Sequence, residues 1–338
     1  MKNVDNIKTA DYEHLLLVQD LKTHFFTRSG VVKAVDGVSF HLDEGEALGL
    51  VGESGCGKSI TCHSIVRLLP TLGCRIVGGK IFFQGENLVQ KNLKEMANWR
   101  GKKIGMILQD PLSSLNPVHT IGRQVGEAIR LDEKSEKTGI IRRKVLDLLE
   151  KVKIPSAAGR MDQYPFQFSG GMRQRVLAAI SMARQPKLLI ADEPTTALDV
   201  TIQDQFLRLL KQMQREYGLA LLLVTHDLGL VAETCDRVAV MYAGRIVETG
   251  SIERVFEDPA HPYTRALMMA LPELGTKKKR LFQITGEPPN LLNLPPGCSF
   301  SPRCTKSMDV CKREYPPFMP AGKDSMTACW LWAKGPVE

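Results

Sequence analysis

The stretch "EALGLVGESGCGKSI", residues 46–60, constrains this chain more than any other. A short apolar run with the length of a buried strand leads into Gly52, Gly55 and Gly57. Lys58 and Ser59 follow, at the head of "KSITCHSIVRLLP", which reads as a helix ended by Pro70. The spacing is G-x-x-x-x-G-K-S. Glycines let backbone N–H groups close around phosphate oxygens, the lysine reaches the β and γ phosphates, and the serine hydroxyl is a ligand for Mg²⁺. A helix that begins there adds its positive N-terminal end. Gly52, Glu53, Ser54, Gly55, Cys56, Gly57, Lys58 and Ser59, with Ile60 behind them, are therefore candidate nucleotide-binding residues.

The rest of the chain supplies the sheet that such a loop needs. "HLLLVQDL" and "VVKAVDGVSFHL" read as strands, as do "KIGMILQD" (103–110), "KLLIAD" (187–192), "LALLLVTH" (219–226), "DRVAVMYAG" and "RIVETG". Between residues 111 and 186 the character is helical. Ile141, Val145, Leu148 and Val152 recur at helical spacing, and "SGGMRQRVLAAISMARQP" predicts a helix with Ser169 as N-cap. A further helix carries Ile202, Phe206, Leu209 and Met213 on one face. Strands alternating with helices predict an α/β fold with a mostly parallel sheet and a helical insertion at about 111–186. "LLIADEP" places two carboxylates at a strand end. Asp192 is positioned to hold Mg²⁺, and Glu193 to orient and deprotonate a water beside a γ-phosphate.

"FSGGMRQR" (168–175) separates the classes of phosphate-binding ATPase. Glycines after Ser169 bare a helix N-terminus, an anion site by physics alone. The segment resembles the L-S-G-G-Q signature of ATP-binding-cassette (ABC) ATPases, with Phe168 and Met172 departing at its two ends. Gln109 resembles the Q-loop glutamine, "TTALD" (195–199) the D-loop with Asp199, and His226 in "LLVTHD" the switch histidine. The six motifs fall in the family's order.

The resemblance implies a P-loop NTPase fold of RecA-like type, with an antiparallel β subdomain. It implies that Lys58, Gln109, Glu193 and His226 act in catalysis, and that Ser59, Gln109 and Asp192 serve Mg²⁺. Ser169, Gly170, Gly171 and Asp199 would meet ATP held by a partner cassette, so each chain holds half of each site. Phe26, in "KTHFFTRSG", is the candidate for stacking on adenine.

After residue 258 the composition shifts. Residues 259–338 hold 11 Lys and Arg against 6 Asp and Glu, five of the chain's net +8, and are rich in proline. "DPAHPYTRALMMALP" (258–272) resembles the segment after the cassette in dipeptide and oligopeptide importer ATPases. It reads as a turn at Pro262 and a short helix packing Leu267 and Met268. A cassette over 1–258 and an extension over 259–338 are the expected divisions. The start of the chain shows no secretory signal, and its longest apolar run, "LALLLV", is far short of a membrane span. The expected location is the cytoplasmic face of the cell membrane. The expected partners are a second cassette, either a related subunit or another copy, two transmembrane permease subunits and, indirectly, an extracytoplasmic peptide-binding protein. Nickel or another small solute is the alternative cargo. A soluble ABC ATPase acting on nucleic acid is the alternative of another class, argued against by the single cassette and the lack of a long coiled coil.

Four of the eight cysteines, Cys298, Cys304, Cys311 and Cys329, crowd the last 41 residues. A reducing compartment disfavours disulfides. Four thiolates suit zinc, yet zinc sites usually contain one close C-x2–4-C pair and none occurs here. Wider spacing suits a [4Fe–4S] cluster, which the importer resemblance also implies; zinc and unligated thiols remain the alternatives. The extension is accordingly expected to be a small irregular domain stapled by metal.

Overall fold

The computed structural model of the chain describes residues 13–132, 136–196, 198–270 and 282–333. Ala197 of the 195–199 segment, and the end of the 258–272 segment, lie outside the described residues. Contacts divide the chain into two compact units. One contains residues up to Leu42, Leu48–Gln90 and everything from Thr225; the other contains Asp43–Ala47 and Lys91–Val224.

The first unit carries an antiparallel sheet of β1 (Leu16–Thr27), β2 (Gly30–Leu42), β4 (Cys74–Phe83) and β5 (Glu86–Asn87), in the order β2-β1-β4-β5. Leu16 and Val18 are buried on β1, and a bulge at Asp20, whose φ is 46°, resets the alternation so that Leu21 is buried too. A second set of strands begins with β3 (Ala47–Val51), all five residues of which are buried. That is the pattern of a strand covered on both faces. β3 runs parallel to β9 (Arg237–Tyr242), and β9 turns back antiparallel into β10 (Arg245–Ser251). The turn residues Ala243 and Gly244 have φ of 47° and 83°, the left-handed pair that a two-residue hairpin requires. β10 pairs in turn with β12 (Ser325–Thr327), and β12 with β11 (Met319–Pro320). In this set the β3–β9 pairing is parallel and the other pairings are antiparallel, so the strands are mixed.

Helix α1 (Lys58–Ile65) follows β3. It stops before Pro70 because Arg67, with φ of 52°, leaves the helical region. Ser251 caps α7 (Ile252–Glu257). Pro262 opens α8 (Pro262–Met269), capped by His261, whose Nδ1 accepts the Tyr263 N–H at 3.0 Å. This helix buries Tyr263 and Thr264; Leu267 and Met268, the expected packing residues, are only half-buried.

In the second unit, β6 (Ile104–Ile107), β7 (Leu188–Asp192) and β8 (Ala220–Thr225) run parallel in that order. The expected helical insertion is present as α2 (Ile121–Arg130), α3 (Thr138–Lys151) and α4 (Gly170–Met182). Helix α3 buries Ile141, Val145 and Leu149 rather than Leu148, because 3.6 residues per turn carries the stripe one position on. Gly126 of α2 lets the pair come close: a Cβ there would stand 3.4 Å from the Ile141 and Val145 side chains. Helix α5 (Val200–Tyr217) buries Phe206, Leu209 and Met213 as expected, with Ile202 half-buried.

Candidate functional site

The glycine-rich loop bridges β3 and α1. Gly57, the residue before the helix, has φ of 109°, and a Cβ on it would stand 2.2 Å from the Ala34 carbonyl oxygen. A Cβ on Gly52 would stand 2.2 Å from the Met241 carbonyl oxygen. Both positions therefore require glycine for space. Gly55 has φ of 78° but open surroundings. The Cys56 carbonyl accepts the Gly244 N–H at 2.9 Å, fixing the loop to the β9–β10 turn. Lys58 is buried, and its Nζ donates to the Gly52 and Glu53 carbonyls at 2.7 and 3.1 Å. Its ammonium thus lies against the loop's own backbone. Ser54 and Gly55 are exposed at the tip, while Ser59 and Ile60 are half-buried in the first helical turn. Burial pushes the Cys56 thiol pKa up.

Two residues from the C-terminal segments, neither among the candidate site residues, reach this loop. Tyr263 Oη accepts the Glu53 N–H at 3.0 Å, and both Arg303 terminal nitrogens donate to the Glu53 carboxylate at 2.7 and 3.0 Å. His226 is exposed just after β8. The next residue, Asp227, caps α6 (Leu228–Thr234) by accepting the Gly229 and Leu230 N–H groups. Phe26 sits on β1, 40% exposed, with the Arg75 guanidinium carbon 4.3 Å from its ring centroid. The ring is a surface platform, not a core filler.

In the second unit β7 delivers Asp192, almost wholly buried, at its C-terminal end. Glu193 then leaves the strand with φ of 43°, its N–H donating to the Val224 carbonyl at 2.9 Å. The structure brings Gln109 to Glu193: Gln109 Nε2 donates to Glu193 Oε2 at 3.3 Å. Thr196 Oγ1 donates to the same oxygen at 3.0 Å. Thr196 was not among the sequence candidates, though its place three residues after Glu193 is the spacing of a side chain closing a local turn.

Ser169 caps α4 as expected, its Oγ accepting the Met172 N–H at 3.3 Å. Gly170 is half-exposed and Gly171 buried. Gly171 has a packing reason as well: a Cβ there would be 2.4 Å from Ile202 of α5. Phe168 is buried, so its departure from the usual leucine keeps an apolar anchor. Gln174 Nε2 donates to the Pro194 carbonyl, tying this helix to the segment after Glu193. Asp199 is the N-cap of α5, its Oδ1 accepting the Ile202 N–H at 3.0 Å.

The four clustered cysteines line one cavity, with Phe300, Pro316 and Trp330 among its walls. Gly297 permits the fold there, since a Cβ would be 2.2 Å from the Cys311 carbonyl oxygen. Cys298 N–H donates to that same oxygen at 2.7 Å, and Cys311 itself lies on the short helix α9 (Asp309–Arg313). Burial pushes up the thiol pKa values of Cys298 and Cys304, and that of Cys329 to about 12. A cation bound here would have to displace protons. Among the described residues no helix is long and apolar enough to cross a membrane.

Comparison with known proteins agrees with this geometry. A family model described as ABC transporter matches residues 35–196, and one described as the C-terminal region of oligopeptide/dipeptide transporters matches residues 247–311. The dipeptide transport ATP-binding protein DppD of Bacillus subtilis is 48% identical over 319 residues, covering 94% of this chain and 95% of that protein. The oligopeptide transport ATP-binding protein OppD of the same organism is 48% identical over 318 residues, covering 94% of this chain and 88% of its own length. Among solved structures, the ATP-binding cassette MJ0796, in a dimeric post-hydrolysis state bound to ADP and Pi, matches with a TM-score of 0.64 at 24% identity. That match covers 70% of this chain and 98% of the other, a likeness of fold.

Proposed function

Because this chain belongs to the ATP-binding subunits of the oligopeptide/dipeptide ABC transporters, we propose that it binds and hydrolyses ATP to power import of dipeptides or oligopeptides. The observation that carries the cargo class is the agreement of the chain's two halves. A cassette match is followed by an oligopeptide/dipeptide C-terminal match, and the relatives align over nearly the whole length. The nucleic-acid reading has no such support.

In this reading the loop from Gly52 to Ser59 and Ile60 cradles the phosphates, and Lys58 exchanges its backbone carbonyl partners for phosphate oxygens. Ser59, Gln109 and Asp192 offer hydroxyl, amide and carboxylate oxygens, the hard donors that Mg²⁺ takes. That ion would neutralise phosphate charge. Glu193 removes a proton from the attacking water, held in orientation by Gln109 and Thr196. His226 positions the γ-phosphate and water, and Phe26 stacks on adenine. Ser169, Gly170, Gly171 and Asp199 serve the site of a second cassette, a related subunit or another copy. Two transmembrane permease subunits receive the work at the cytoplasmic membrane face, with an extracytoplasmic binding protein delivering the peptide. Residues 1–258 make the cassette, with its helical part at about 111–186, and residues 259–338 the extension. The test is ATP-dependent uptake of a labelled dipeptide into proteoliposomes holding this chain with its permease and second cassette. Uptake of nickel and not of peptide would overturn the cargo assignment.

We propose that the four cysteines hold a [4Fe–4S] cluster in preference to zinc, since the larger cluster suits their wide spacing. Zinc sites usually contain a close C-x2–4-C pair, and the spacing from Cys298 to Cys329 has none. Bound there, a cluster would cross-link the extension. Anaerobically purified protein is expected to be brown and to contain iron and acid-labile sulfide in equal amounts, with both lost in Cys329→Ser. Stoichiometric zinc without iron would overturn the assignment.

A further inference from the structure

Glu53 sets a problem for an ATP site. It is the second residue of the phosphate-binding loop, and an uncompensated carboxylate beside a triphosphate opposes binding. The fold answers with groups from the far end of the chain. Arg303 lies in the single turn Ser301–Arg303, between Cys298 and Cys304. Its side chain is 5% exposed, and its planar fork grips the Glu53 carboxylate with two parallel hydrogen bonds, the arrangement that lysine cannot reproduce. Its other directions are used as well. Nη1 also donates to Tyr242 Oη at 3.3 Å, and Nε donates to the Thr285 carbonyl at 3.2 Å. Tyr263 meanwhile holds the Glu53 N–H, so the backbone and side chain of this one residue are both fixed from the C-terminal segment. Tyr242, Tyr263 and Phe300 form the floor of the contact, with ring centroids 4.6–5.4 Å apart.

We propose that Arg303 is a positioning residue for ATP: it cancels the charge of Glu53 and holds that carboxylate clear of the phosphate cradle, so the C-terminal segment completes the nucleotide site of its own chain. The inference rests on the reading that the 52–59 loop binds ATP. A plain staple between tail and loop would need Glu53 as much as Arg303. Charge cancellation needs Arg303 only while Glu53 is charged, and the two differ in sign when both residues are changed.

The experiment is titration of the full-length chain with a fluorescent ATP analogue and Mg²⁺ at fixed salt, with thermal melts alongside. Arg303→Ala is expected to raise the Kd about tenfold, and by less for ADP, which carries less charge. Glu53→Gln in the Arg303→Ala background should restore affinity to within about threefold of the Glu53→Gln single variant. Should Arg303→Ala not fold, Arg303→Gln with and without Glu53→Gln gives the same comparison. If wild-type protein binds the analogue and Arg303→Ala binds equally well, the inference fails while the ATP reading stands. It fails too if the double variant binds no better than Arg303→Ala alone. Wild-type protein that does not bind the analogue overturns the ATP reading itself.

Discussion

Glu193→Gln is expected to lower ATP turnover by about 10²–10⁴-fold while leaving ATP affinity within a few fold. The substitution is nearly isosteric, so Gln109 and Thr196 keep a carbonyl oxygen to donate to at the position of Oε2. What is lost is the negative oxygen that takes the proton in the proposed mechanism. The carboxylate sits after a residue whose own carboxylate, Asp192, is buried at the strand end, so the two differ in environment. Asp192 is enclosed and suited to a cation, and Glu193 is more open and suited to water. The measurement is phosphate release from the assembled transporter, paired with equilibrium nucleotide binding. Turnover near the wild-type rate would remove Glu193 from the role of base.

The second large effect is expected at Gly57. Gly57→Ala must place a Cβ 2.2 Å from the Ala34 carbonyl oxygen, on a residue with φ of 109°. Neither the backbone of β2 nor this torsion can relax locally, so the loop has to move. Nucleotide affinity should fall by 10²-fold or more, and stability by about 2–3 kcal/mol, the sum of a strained torsion and a backbone clash. Gly55→Ala is the matched control. Its φ is 78°, yet a Cβ there meets nothing within 4 Å. It should cost about 1 kcal/mol and keep most of the affinity. Isothermal binding and chemical denaturation of the two variants give the comparison; equal behaviour would mean that the loop is more plastic than its packing implies.

What the sequence made legible was local. A continuous apolar run predicts β3 and β7 because those strands are covered on both faces. Ser-Gly-Gly predicts a capped helix because the cap lies three residues from the N–H that it accepts. Gly52, Gly57 and Lys58 carry their chemistry in the spacing itself. The errors have physical causes of the same short range. The apolar stripe of α3 drifts to Leu149 because the helix does not repeat in a whole number of residues. Helix α1 stops at a left-handed Arg67 that no composition signals. Leu267 and Met268 read as the packing residues of α8, whereas the hydroxyl of Tyr263 hides how deeply its ring is buried.

The contacts to Glu53 lay beyond this kind of reading. Tyr263 and Arg303 stand 210 and 250 residues away in sequence, and nothing in the patterns around them points to the loop. A tyrosine in "HPYT" and an arginine in "SPRC" acquire their meaning only where the chain folds back on the loop.

The pairing of β12 with β10 has a bearing on how such proteins change over evolutionary time. Residue 258 marks a shift in composition, but it is not a seam in the hydrogen bonding. Glu248, Thr249 and Gly250 face Thr327, Met326 and Ser325 across the ladder, and Trp332 Nε1 donates to the Ala260 carbonyl at 3.1 Å. A lineage that shed the tail would leave β10 as an open edge, inviting a neighbouring molecule to supply the missing strand. Loss of the appendix would therefore have to be accompanied by new polar or proline residues along β10, and a gene lacking both should be rare among viable descendants.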